Sequence, residues 1–303
     1  MLIRLIQIHI GLRHLRSWMQ PLVMLMATGL MAASTGCYEE QVTSQAGAIE
    51  VAKAPTVVLA QSPRDVRVEV ALQMIGGGRF DQAQLAMETV LAERPEYARA
   101  EFLLGLSKHK QKLYQQALPH YQASLDILQE FPERVHVHHF RGWAHYYLGQ
   151  MTQSRKEFNA HLALVPEEAD SMFGLALTYM DEGDHDRAEP MFLEAIRLQE
   201  GMPGRVRELA KAHARLGDLR LQQSRNEQAI LEYERAVELY PAHHEVWSKL
   251  ARVYDRVGRV QDAEEARKRH AVSAARAGRV RETGETESTQ DVQIEGGGDE
   301  ERQ

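Results

Sequence analysis

Apolar residues fall at helical spacing between about residues 64 and 277, but not in the stretch before it, 38–62, which mixes small, polar and proline residues. Beyond Gly278 apolar positions become sparse, and acids and a glycine triplet take over. Within the central region the pattern repeats. The small residues that open every second helix, Ala83, Ala117, Ser154, Ala188, Ala229 and Ala263, are separated by 34, 37, 34, 41 and 34 positions. The two long steps contain the loop signals Phe131-Pro132-Glu133 and Gly201-Met202-Pro203-Gly204, which predicts insertions between hairpins. The expected fold is all-α: about six helical hairpins over 64–97, 98–131, 135–168, 169–202, 210–243 and 244–277.

Each recurring residue has a physical reason. Gly105 and Gly142, like Ala71, Ala176 and Ala251, are small where two helices must approach closely. Gly78, Gly149, Gly183 and Gly258 suit the left-handed residue that ends a first helix, whereas the fifth hairpin has Ser224 there. Pro119 and Pro190 share one phase and are expected early in a second helix, where the missing N–H matters little. Pro95, Pro166 and Pro241 mark the ends of second helices.

A period of about 34 with Leu104-Gly105, Tyr114, Ala117 and Tyr121, and again Leu175-Ala176, Tyr179, Gly183, Ala188, Phe192 and Ala195, resembles the tetratricopeptide repeat (TPR) family. Trp247, Leu250-Ala251, Tyr254, Gly258 and Ala263 hold the family spacing in the last repeat. The resemblance implies a right-handed superhelix, an α–α solenoid whose first helices line a concave groove that binds a protein or peptide. On that face it places Phe102, Leu106 and His109, then His136, His139, Trp143 and Tyr146, then Phe173, Leu177 and Met180. The Lys and Asn with which some members grip a C-terminal carboxylate are missing from these positions. An apolar, aromatic groove instead favours an extended or helical segment with apolar side chains, Trp143 and Phe173 being its main anchors. The later hairpins would add the polar residues Lys211, Asp218, Glu245, Arg252 and Asp255.

The N-terminus changes the picture of where such a groove would work. Arg4, Arg13 and Arg16, an apolar run from Trp18 to Ala33 and the small residues Ser34, Thr35 and Gly36 precede Cys37, the single cysteine of the chain. This layout resembles a bacterial lipoprotein signal over 1–36, which implies cleavage, lipidation at Cys37 and a membrane attachment through it. The implied location is the cell envelope, on the outer membrane facing the periplasm. An uncleaved anchor and an ordinary secretory signal are the alternatives. Residues 37–62 then form a flexible tether and 278–303 a disordered acidic tail. Without the signal, 33 basic residues face 43 acidic ones, which argues against nucleic acid as a partner.

No enzymatic chemistry or cofactor is expected. The lone cysteine is claimed by the signal, and no nucleophile, base and orienting group can be placed together. Histidines 136, 138, 139 and 145 invite a metal reading, with 136 and 139 or 138 and 145 sharing a face, but no acid or cysteine completes a set, so no metal is assigned. Gly76-Gly77-Gly78 lacks the Gly-Lys-Ser/Thr sequel of a phosphate loop, and residues 181–186 lack calcium-loop spacing. The sequence therefore predicts a non-catalytic, envelope-anchored adaptor. A self-associating envelope spacer, and a carrier of a small molecule or metal, are the rival readings.

Overall fold

The computed structural model describes residues 60–61 and 64–283. The expected signal, Cys37, nearly all of the tether and the tail beyond Thr283 lie outside the described residues. Twelve helices among the described residues pair into six hairpins. They are α1 (Val66–Gly76) with α2 (Phe80–Glu93), α3 (Ala98–Lys110) with α4 (Tyr114–Asp126), and α5 (Val137–Tyr147) with α6 (Met151–Leu164). There follow α7 (Ala169–Asp181) with α8 (His185–Gln199), α9 (Val206–Gln222) with α10 (Asn226–Leu239), and α11 (His244–Arg256) with α12 (Val260–Thr283). The hairpins stack in chain order as a tetratricopeptide-like solenoid.

Every turn within a hairpin is built alike. One residue takes a left-handed φ, at Gly78, Lys112, Gly149, Gly183, Ser224 and Gly258. The next backbone N–H then reaches back five residues, as from Arg79 to Met74 at 2.8 Å and from Arg225 to Arg220 at 2.9 Å. Ser224 therefore makes the turn without glycine, at φ 60°, and Lys112 does the same at φ 63°.

Close helix approach follows from the paired small and large residues. Gly105 faces Tyr121, Gly142 faces Phe158 and Gly217 faces Tyr233, always sixteen positions apart, and the three aromatic rings are fully buried. The small residues at the fourth position of each second helix, from Ala83 to Ala263, are also fully buried, with Ser154 donating its hydroxyl to Gly142 O at 2.9 Å. Full burial of a side chain such as Phe158 contributes about 3 kcal/mol. At the far end the equivalent of these aromatic residues is the half-exposed Arg267, so the last hairpin turns a polar surface outward.

Four sequence expectations need correction. Pro119 and Pro190 each stand sixth in their helices, past the free N–H groups of the first turn, so each removes one interior hydrogen bond. Hairpin five starts at Val206, not 210, because part of the second insertion lengthens α9 to 17 residues. Helix α12 continues to Thr283, past the expected start of the tail. Residues 60–61, expected in a loose tether, form a two-residue strand β1 (Ala60–Gln61) that pairs in parallel with β2 (Gln129–Glu130). The loop carrying β2 is itself pinned by Arg134, whose guanidinium donates to the carbonyls of Ser124, Leu125, Ile127 and Gln129 at 3.0–3.2 Å.

Candidate functional site: an aromatic cleft across the first helices

The first helices of hairpins two to six share one cleft with a volume of about 610 Å³. Of the ten groove residues expected from sequence, six line it: His109 from α3, His139, Trp143 and Tyr146 from α5, and Phe173 and Leu177 from α7. The other four do not. Phe102, Leu106 and Met180 are buried in the helix stack, at 1%, 7% and 8% exposure. Phe102 is closed over by Phe131, from the first insertion, and by Phe140 of the next hairpin, both with ring centroids 5.7 Å away. His136 is exposed but stands off the cleft, with Nδ1 3.2 Å from His161 Nε2.

One wall is a run of aromatic rings. Tyr114 stacks on Tyr147 at 4.7 Å, Tyr147 on Trp143 at 5.8 Å, and Trp143 leans on Phe173 at 6.3 Å, which meets Phe192 edge-on at 5.7 Å. Tyr147 is 55% exposed, Trp143 and Phe173 are partly so, and Phe192 anchors the row in the core. Sequence reasoning missed Tyr147 and Phe140. The signal was available in the consecutive aromatic residues of Tyr146-Tyr147, which span more of the helix face than one i, i+4 stripe. Tyr146 donates its hydroxyl to Asp181 at 2.9 Å, and burial, with that carboxylate, keeps the phenol protonated.

The opposite wall is charged. It carries Glu208, Lys211 and Arg215 from α9 and Glu245 and Lys249 from α11, with His243 just ahead of that helix. Asp218 gathers Lys249 at 2.7 and 2.8 Å, Arg215 at 3.1 Å and the Tyr233 hydroxyl at 2.7 Å. Among the described residues, Lys110 and Lys211 make no ion pair, so two cations at the cleft remain uncommitted. Two buried cleft atoms, His109 Nδ1 and Gln199 Oε1, also make no hydrogen bond within the described residues. Unsatisfied buried polar atoms are costly and rare in native proteins, so these two call for a partner, a water or a bound group.

The histidines do not group as their spacing suggested. His138 Nδ1 lies 2.7 Å from Glu157, and His145 Nδ1 lies 2.6 Å from Gln150. His139 Nδ1 instead reaches Ser171 Oγ at 2.8 Å, and the same hydroxyl meets His161 Nδ1 at 2.8 Å. His161 and Glu168, on the following helix and at the cap of α7, are partners that the local cluster did not reveal.

Helical hairpins stacked in series, with first helices turned to an open cleft, define a repeat scaffold, a fold whose general use is protein–protein interaction. Models described as tetratricopeptide repeat match residues 75–133, 167–242 and 214–280, and the chain belongs to the tetratricopeptide repeat family. Hairpin three lies between the matched ranges. Among curated proteins, the chain is 23% identical over 207 residues to the CTR9 homolog of Arabidopsis thaliana, an alignment that takes in 66% of this chain and 18% of that protein. Among solved structures it resembles a chain of the APC/C hetero-tetramer Cut9–Hcn1, with a TM-score of 0.59, 16% identity, and 69% of this chain against 39% of that one. It also resembles BtubC (BKLC) from P. vanneervenii, with a TM-score of 0.54, 17% identity, and 70% of this chain against 91% of that one. These likenesses show the fold.

Proposed function

We propose that the protein is a non-catalytic adaptor that holds a segment of a partner polypeptide in the cleft between α3 and α11. The reading rests on the run Tyr147–Trp143–Phe173, which leaves large aromatic surface partly open beside a fully packed core. Aromatic anchors of this kind bury much area at small entropic cost. The charged wall, with Lys211 uncommitted, would orient the guest and favour acidic or carbonyl-rich flanks. The N-terminal layout supports attachment to the bacterial cell envelope through a lipidated Cys37, on the outer membrane facing the periplasm.

Cross-linking from a photoreactive residue at Tyr147 in native membranes, followed by mass spectrometry, identifies the guest. Trp143→Ala with Phe173→Ala is expected to cut that capture at least about tenfold while helical content stays unchanged, the scale of losing one buried anchor. Undiminished capture by the folded double variant would remove the cleft from the reading. For the attachment, Cys37→Ala should abolish incorporation of labelled palmitate and release the chain from the membrane fraction.

A further inference from the structure

We propose that His139, His161 and Glu168 form a binding site for a zinc-like divalent transition metal that staples hairpin three to hairpin four. One donor atom from each of the three residues lies within 4.8 Å of the others. They come from three elements: α5, α6 and the N-cap of α7. Donors around tetrahedral zinc, at bond lengths of about 2.1 Å, stand roughly 3.4 Å apart. The measured His139 Nδ1 to Glu168 Oε2 separation is 3.7 Å, so small side-chain rotations close the set.

The donor chemistry selects the ion. Two imidazoles and one carboxylate suit zinc, cobalt or nickel, whereas calcium and magnesium need more oxygen ligands than this site offers. Supporting contacts already orient the ligands. His161 Nδ1 lies 2.8 Å from Ser171 Oγ, which leaves its Nε2 for the ion, and Glu168 Oε2 is held by the Ser171 backbone N–H at 2.6 Å. His139 exchanges its own 2.8 Å contact between Nδ1 and the Ser171 hydroxyl for the metal bond. His161 is fully buried, and Phe140, Trp143 and Phe158 surround His139 at 5.1–6.5 Å, a dry shell that strengthens coordination. Burial also draws the His161 imidazole down to about 4 and lowers His139, so both are neutral, the form that binds metal, at neutral pH. His139 lines the cleft, which gives an ion its route in and leaves a fourth position for water or His136.

The test uses the full chain, stripped with chelator and titrated with Zn²⁺ and with Co²⁺. One equivalent should bind, Co²⁺ should develop the intense visible bands of a four-coordinate site, and the melting temperature should rise with bound zinc. Glu168→Gln keeps an oxygen for the Ser171 cap while removing the carboxylate, and His161→Gln removes a ligand. Each should weaken zinc binding by about 100-fold or more. Should a variant fail to fold, zinc-induced shifts of the His139 and His161 ring nitrogens in the wild-type NMR spectrum give the same answer. Absence of stoichiometric binding, binding that survives both variants, or unshifted His139 and His161 signals on zinc addition would each overturn the assignment.

Discussion

A Cβ placed on Gly142 would come within 2.7 Å of the Phe158 ring, so these two residues fix how closely α5 and α6 can approach. Phe158 also abuts Gly174 of the next hairpin, and one ring thus sets two helix contacts. Gly142→Ala forces the ring or a helix aside and should destabilise the protein by about 1–3 kcal/mol, the usual cost of overpacking. Gly76→Ala is the matched control, since a methyl there meets nothing within 4 Å. Urea unfolding of the two variants checks the contrast; equal midpoints would refute it.

Lys112 and Ser224 hold left-handed turn conformations that the other four turns assign to glycine. Removing the Cβ relieves the backbone, partly offset by a freer unfolded chain, so Lys112→Gly and Ser224→Gly should each stabilise by about 0.5–1 kcal/mol. Thermal melts that fail to rise for both would contradict the strain.

His109 gives the protein an acid limit. Burial, ahead of the nearby Lys110 charge, pulls its imidazole down to about 4 from an ordinary 6.5. The unfolded chain therefore takes up a proton at higher pH than the folded one. The sign follows: stability is at its full value above pH 6.5 and falls as pH drops toward 4, by up to about 2–3 kcal/mol from this group. Unfolding free energies measured from pH 7 to 4 should show that decline, and His109→Phe should flatten part of it. A slope identical in the variant would exclude His109 as its source.

Arg99 joins three segments. It donates Nε and Nη2 to Glu133 at 2.8 Å each and pairs with Glu69 of α1, with its own side chain nearly buried. Glu69 is more than half exposed and adds little, whereas Glu133 would lose both partners. Arg99→Ala should cost about 1–3 kcal/mol with an unchanged denaturant slope. A shift below about 0.5 kcal/mol, the level of ordinary surface changes, would place the pair among inert ones.

The hairpins were legible because their determinants are local. A small residue, a turn residue and an aromatic recur at fixed offsets, and Ser224 shows that the offset carries more than the residue type. The cleft was only partly legible. Phe102 occupies the same repeat position as His139 and Phe173, yet the insertion bearing Phe131 covers it, an event no periodicity within α3 can register. Leu106 and Met180 failed for a related reason: the i, i+4 stripe gives the face of a helix, not how far the next hairpin wraps around it. His161 and Glu168 lie 22 and 29 residues beyond His139, so only tertiary packing brings them together.

The short pairing of Ala60–Gln61 with Gln129–Glu130 closes a ring of chain around the first two hairpins. Traction on the chain ahead of Ala60 thus meets this clasp before it reaches α1, and passes through Arg134 to the junction of hairpins two and three. Held by a few bonds of about 1 kcal/mol each, the clasp lets go first, paying out a little slack while every hairpin stays intact.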